Sequence, residues 1–288
     1  MSSEFPDRRT NAYRDDLAAD YLQGKVSAAT FVKGEKRQVV SGDVQLRQEP
    51  RHDAALDTEL LHGDLVTVYD ENEGWAWVQA DRDSYVGYLS ANALVSSVTP
   101  PTHRVRALRT HLYPVPDFKA PPLDLLSMNS RVAVDSSDDH FARLVDGRFA
   151  VAGHLAQLDV YETDFVDVAA QFLGTPYLWG GRTSIGIDCS ALIQLALQAT
   201  GVDCPRDTDM QEAALGNALA DPRDHSAFTH GDLVFWRGHM GVMLDRTNLL
   251  HANVHHMAVA NEPVAKVIER FEETHGPVTS VRRLDRGR

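Results

Sequence analysis

A weak internal duplication in the first half of the chain limits what that half can fold into. Leu46 and Pro50 fall against Leu112 and Pro116, Val66 and Val68 fall against Val132 and Val134, and YVGYLSANAL at 85–94 resembles FAVAGHLAQL at 149–158. The offset is about 65 residues and shortens by two at the closing segment. Within the first copy, LVTVY, the Gly74-Trp75-Ala76-Trp77-Val78 stretch and YVGYL carry apolar side chains at near-alternate positions, the period of half-buried strands. The breaks DENEG and DRDS between them are turn chemistry. Short units of several strands predict small β barrels, which protect their edges by closing or packing on a neighbour. The prolines of SVTPPTHR mark a linker, dividing a first barrel at 35–99 from a second at 100–160. Residues 1–34 form an arm too small for its own core, expected to pack along a later domain, with a short helix over DLAADYLQGK ending at Gly24.

From Asp164 the pattern changes. Asp164 is placed to cap a helix over FVDVAAQFL that ends at Gly174, with Pro176 preventing continuation. Leu192, Leu195, Ala196 and Ala199 then recur at near-helical spacing until Gly201. Beyond Gly231 the stretches DLVFW, HMGVML and NLLHA read as strands separated by Gly238 and the Asp245 to Asn248 turn. Helices followed by an antiparallel sheet predict an α+β domain over 161–288.

Composition narrows the partners. Against 28 Lys plus Arg stand 41 Asp plus Glu, a formal charge of -13 over 288 residues, which disfavours a nucleic-acid binder because phosphate binding needs a concentrated positive footprint. Two cysteines exclude a disulfide framework and a cysteine-rich zinc site. The charged N-terminal stretch MSSEFPDRRTNAYRDDLAADYLQGK has no apolar run suited to a signal peptide or a membrane span. A cytoplasmic protein without a membrane partner is therefore expected, although a leader removed from the chain would leave the same pattern.

Cys189 lies where the YLWGGRTSIGID loop runs into a helix. Unpaired N–H groups and the helix dipole favour a thiolate there, the reactive form, so Cys189 is a candidate nucleophile. The alternative is a buried structural thiol. Cys204, in GVDCPRD, lacks such a setting. A cysteine nucleophile needs a base near neutral pH, and His239, opening its strand after Gly238, can point an imidazole into a groove. His251, in the next strand, can hydrogen-bond its far nitrogen if the two strands form a hairpin. Each of these, among 13 histidines, also reads singly as a surface or turn residue. Three nearby histidines, His251, His255 and His256, raise a metal site as a competing reading, but no HExxH helix is present, so the expectation is no metal and no cofactor.

PYLWGGRTSIGIDCSALIQLAL, followed by GDLVFWRGHMGVML and LLHAN, resembles the NlpC-type papain-like cysteine peptidases that cut bacterial cell-wall peptides. The duplicated first half resembles the bacterial SH3-like domains attached to some members, giving an α+β papain-like domain preceded by two small all-β SH3-like barrels. The arrangement resembles gamma-D-glutamyl-L-diamino-acid endopeptidases, which process free murein peptides. The resemblance implies Cys189 as nucleophile, His239 as base and His251 as the orienting residue, where papain-like enzymes use Asn. Tyr177 is a candidate oxyanion donor beside the Cys189 N–H, with an aromatic wedge as the alternative. Asp188 and Ser190 are implied to contact D-glutamyl and peptide backbone groups; Asp188 alternatively caps the helix. Arg206 and Asp207 are expected to order a loop beside the groove.

Relatives of this arrangement recognise the free α-amine of L-Ala with their first SH3-like domain, and the candidates here are Glu71, Glu73, Tyr85 and Tyr88, otherwise turn acids and core aromatics. The implied partner is a murein tripeptide or related short peptide. Its gamma-D-Glu to diamino-acid bond would be hydrolysed during cell-wall recycling, with diaminopimelate or lysine not distinguished and the oligomeric state unspecified. Two other readings stay open: a secreted hydrolase or amidase acting on intact wall, and a non-catalytic wall-binding or protein-binding module.

Overall fold

Alternating burial along the first strands follows the period-two pattern of the sequence. The computed structural model describes residues 5–285; the first four residues of the expected arm and the last three of the expected catalytic domain lie outside them. The chain divides into two compact units, one ending at Asp159 and the other starting at Val160.

The first unit contains a seven-stranded antiparallel sheet, in the order Leu56–Leu61, Asp43–Arg47, Val86–Ser90, Trp75–Ala80, Leu65–Asn72, Glu35–Val39, Leu94–Val95. Its inward side chains, among them Val39, Leu46, Leu60, Val66, Val78, Tyr85 and Leu89, form one apolar cluster. The DENEG turn closes its hairpin with left-handed backbone at both Glu73 (φ 49°) and Gly74 (φ 80°), which matches the twist of the flanking strands. A second cluster, built on Val105, Leu112, Leu126, Val132, Leu144 and Ala150, lies among strands split over three small sheets. The duplicated closing segments take the same path: strand Val86–Ser90, a 3-10 turn and Leu94–Val95 in one copy, strand Phe149–Val151, a 3-10 turn and Leu155–Gln157 in the other.

The expected arm helix does not form. Leu17–Ala19 is a strand paired in parallel with Thr30–Val32, and only Asp20–Leu22 makes a single 3-10 turn before Gly24. A segment this short gains little from helical hydrogen bonds, whereas extended backbone lets Ala12, Tyr13, Ala18 and Ala19 join the cluster around Trp77. Arg14 fixes the arm on the sheet: its guanidinium lies 4.4 Å from the Trp77 ring centre and donates to Asp70 (2.8 Å), Asp16 (3.0 Å) and the Tyr88 hydroxyl (2.9 Å).

In the second unit a six-stranded antiparallel sheet runs in the order Asn217–Ala218, Ser280–Arg283, Leu233–Trp236, His239–Met243, Asn248–Asn253, Ala258–Pro263. Four α-helices accompany it: α1 (Phe165–Ala170), α2 (Cys189–Ala199), α3 (Thr208–Ala214) and α4 (Val264–Glu272). This is the α+β composition expected. Asp164 caps α1 by accepting from the Val166 N–H, but the helix closes at Ala170 and turns continue to Gly174. α2 buries ten of its eleven residues and packs on the His239–Met243 and Asn248–Asn253 strands. α4 is one-sided, sealing Val264, Val267 and Phe271 against Trp236, Met243 and Leu249. No described helix is long and apolar enough to cross a membrane.

Arg14→Met keeps an apolar stem while removing the cation over Trp77 and the Asp70 partner. It is expected to lower the unfolding free energy by about 1–2 kcal/mol in a urea titration and to red-shift tryptophan emission. Unchanged stability and emission would mean that apolar contacts alone hold the arm.

Candidate active site

Cys189 is the first residue of α2, and its position is set by what holds that helix end. Asp188 is the N-cap, accepting from the Ala191 N–H (2.8 Å). Its carboxylate also takes the Gly180 N–H (3.0 Å), the Ser190 hydroxyl (3.2 Å) and two bonds from Arg206 (3.1 and 2.6 Å). Arg206 is buried, and its Nη1 donates to Ser190 Oγ at 2.7 Å. Gln211, on α3, donates to the Ser190 carbonyl (2.9 Å) and the Pro205 carbonyl (2.8 Å). Both oxygens of Asp188 have partners, and its side chain caps the helix and clamps the loop, as the capping alternative expects. Arg206 orders the loop as anticipated.

The sulfur of Cys189 lies 3.9 Å from Thr208 Oγ1 and faces the backbone N–H of Met240, the residue after His239. Cys189 is buried, and burial, then the nearby Asp188 charge, pushes its thiol up to about 11. Desolvation works against the thiolate that the helix terminus favours. His239 is also buried instead of standing exposed in a groove, and burial holds its imidazole well below the usual histidine range. Burial thus favours the neutral form of each group, a thiol and an imidazole.

The Trp236–His239 pair, with Gly238 in left-handed backbone (φ 72°), starts the strand that carries His239. One strand over, His251 is fully buried, and its Nδ1 lies 2.8 Å from His239 Nε2. Gly241 permits that approach, because a Cβ there would meet His251 Cβ at 3.0 Å. His251 Nε2 in turn lies 2.9 Å from Glu262 Oε1 on the next strand. Glu262 receives Arg270 of α4 at both oxygens (2.7 and 2.9 Å), and His256 approaches Oε2 at 3.2 Å. These partners hold the Glu262 carboxyl well below the usual carboxylate range, the His251 bond first among them. Phe271 and His239 meet with perpendicular rings, centres 4.9 Å apart, and His275 lies tilted against Phe271 at 4.3 Å.

Tyr177 is half-buried beside Cys189 and Asp188; burial first, then these neighbours, raise its hydroxyl, so it stays a donor. The expected amine-recognition set is not brought together. Tyr85 belongs to the core of the seven-stranded sheet, Tyr88 accepts from Arg14, Glu71 pairs with Arg37, and Glu73 sits exposed at the hairpin tip. Among the described residues no group of three or more His, Cys, Asp or Glu is arranged to hold a metal; His251 and His256 both turn to Glu262, and His255 packs on His256. Glu262, Arg270 and Gln211 were not found from sequence. Their roles depend on strand register and helix packing, for which VANEPVAKVIERF carries no local signal.

The chain matches the bacterial dipeptidyl-peptidase Sh3 domain over residues 46–94 and the NlpC/P60 family over residues 174–272. It is 32% identical over 240 residues to Dipeptidyl-peptidase 6 of Lysinibacillus sphaericus, covering 75% of this chain and 87% of that protein. To the gamma-D-glutamyl-L-lysine dipeptidyl-peptidase of Bacillus cereus it is 26% identical over 232 residues, covering 71% of this chain and 64% of that protein. Among solved structures, an NlpC/P60 family protein from Bacillus cereus superposes with a TM-score of 0.71 at 20% identity, covering 86% of this chain and 99% of that one, a likeness of fold. A cysteine at a helix start, a histidine at the head of the facing strand and the extent of the match to Dipeptidyl-peptidase 6 lead to one assignment: the chain belongs to the NlpC/P60 family of peptidases.

Proposed function

We propose that the protein is a cysteine endopeptidase hydrolysing the gamma-D-glutamyl to L-diamino-acid bond of short murein peptides with a free N-terminal L-Ala, in the cytoplasmic recycling of wall fragments. The observation that carries the catalytic part is the 2.8 Å pairing of His239 Nε2 with His251 Nδ1, beside a sulfur that faces the Met240 N–H. The substrate part rests on the name of the Bacillus cereus relative, a gamma-D-glutamyl-L-lysine dipeptidyl-peptidase. Two SH3-like domains, over 35–99 and 100–160, belong to the same proposal, supported by the Sh3 match at 46–94 and the parallel paths of the duplicated segments.

In this reading the Cys189 sulfur attacks the amide carbonyl as its proton passes to His239. The resulting imidazolium protonates the departing amine, leaving a thioester on Cys189. Water then attacks the thioester, with His239 taking its proton, and the acid product leaves. The Cys189 N–H and the Tyr177 hydroxyl are the donors assigned to the developing oxyanion.

Incubating L-Ala-gamma-D-Glu-L-Lys, its N-acetylated form and purified sacculi with wild type and Cys189→Ala tests the assignment. Cleavage of the free peptide by wild type and none by a folded Cys189→Ala is expected. Equal turnover of the acetylated peptide would overturn amine recognition, and preferential release from sacculi would favour a wall hydrolase. Absence of turnover on every substrate would favour a binding module. Cell fractionation checks the compartment.

Gly241→Ala, by crowding His251, is expected to lower kcat at least about tenfold with KM little changed; an unaffected kcat would mean that the pairing of the histidines does not matter to turnover.

The neutral resting pair makes a separate prediction. Because His239 is depressed below 6.5, kcat/KM should hold its neutral value down to pH 6.5 and fall only below it, as the imidazole charges and ceases to be a base. Ultraviolet difference spectra against Cys189→Ala should show no thiolate at neutral pH, and a thiolate band there would refute the neutral pair. For stability the sign is the same. His239 and His251 titrate lower folded than unfolded, so unfolded chains bind more protons as pH falls through 6.5, and Tm should drop over that interval.

A further inference from the structure

A histidine as orienting residue poses a problem that asparagine does not. The carbonyl oxygen of Asn is an acceptor in every state, whereas a neutral imidazole carries its proton on either nitrogen. If His251 held its proton on Nδ1, it would donate to His239 Nε2. The proton of His239 would then lie on Nδ1, leaving that ring with no free nitrogen for the thiol proton. The productive arrangement is the reverse, with the proton of His251 on Nε2, that of His239 on Nε2, and Nδ1 of His239 open as base. Something must choose between them.

We propose that Glu262, held by Arg270, is the positioning residue that makes this choice. Its Oε1 lies 2.9 Å from His251 Nε2, and an ionised carboxylate only accepts, so Nε2 must carry the hydrogen. His251 Nδ1 is then a lone pair, which can only accept from His239 Nε2 at 2.8 Å. The chain of donors runs one way, from His239 through His251 to Glu262. Arg270 supplies the second condition by filling both oxygens of Glu262 at 2.7 and 2.9 Å, which keeps it ionised and fixes the plane it presents to His251. The register makes this a built feature: His251 pairs with Ala260, and Glu262 lies two residues further along the same face. The role rests on His239 being the catalytic base, as proposed above.

The test compares Glu262→Leu, which has no acceptor, with Glu262→Gln, whose amide oxygen can occupy the position of Oε1, each in the wild-type and His251→Asn backgrounds. The expected result is a fall in kcat of about 10- to 100-fold for Glu262→Leu, partly restored in Glu262→Gln, and less than about twofold further loss from either change once residue 251 is Asn. Nitrogen chemical shifts of the imidazoles in the substrate-free wild-type protein should report a protonated Nε2 and a bare Nδ1 on both histidines. A His251 protonated on Nδ1 would overturn the proposal, as would a folded Glu262→Leu with undiminished kcat or an equal loss in both backgrounds. The nitrogen shifts need neither substrate nor variant, so they decide the tautomer even where Glu262→Leu does not fold. They also separate this proposal from the catalytic reading, which fails if Cys189→Ala retains activity.

Discussion

The clamp of Arg206 on Asp188 determines where the Cys189 sulfur can be. Burying a guanidinium and a carboxylate away from water is costly, and the cost is met only when nearly every donor and acceptor finds a partner. Here Asp188 receives two backbone N–H groups, one hydroxyl and two guanidinium bonds, while Arg206 also reaches Ser190. Removing one partner from such a pair typically costs about 3–5 kcal/mol, because the other charge is left buried and alone. That stiffness is transmitted directly, since Cys189 is the residue between Asp188 and Ser190 and shares their helical turn. The clamp contributes geometry to the reaction, and its charge works against a thiolate, which the raised thiol reflects.

In the proposed mechanism, burial moves the proton affinities of Cys189 and His239 in opposite directions. A thiol pushed up to about 11 beside an imidazole pushed well below its usual range disfavours proton exchange at rest. Proton transfer becomes favourable only as the sulfur bonds to carbon and charge moves onto the carbonyl oxygen, where the Cys189 N–H and a Tyr177 hydroxyl kept protonated by burial can receive it in the proposed mechanism. A cysteine kept as a thiol is also a poorer target for oxidants than a standing thiolate.

Much of this was readable in the sequence, for reasons that also explain the failures. Alternating apolar residues gave the strands around Val66, Trp77 and Leu89, and the Asp188 cap with its following apolar stripe gave α2, because both are local patterns. The same alternation already put Tyr85 on the side of Leu89, inside the sheet, and opposite to Tyr88, so its candidacy for ligand contact could have been dismissed on spacing alone. Other features were not local. The arm prefers extended backbone only because Trp77, more than fifty residues downstream, offers a surface for Leu22 and Arg14. The effect of burial on Cys189 was not legible, because a helix terminus is visible in sequence and burial by a facing strand is not. Glu262 was invisible for a related reason, since it acquires meaning only from the register of its strand against that of His251.

Apolar packing finally sets the electrostatics of the site. α4 follows directly on the strand bearing Glu262, and Val264, Val267 and Phe271 seat it on the core beside Trp236. Adjacent residues of its last turns then act on two histidines at once. Arg270 reaches back to Glu262 and through it to His251, while Phe271 walls the ring of His239 from the side. Rotating the helix about its axis would move both contacts together, so the one-sided burial that fixes this rotation also fixes the direction of the hydrogen-bond chain. A buried polar relay needs this kind of support, because in a low-dielectric surrounding a misaligned bond is costly.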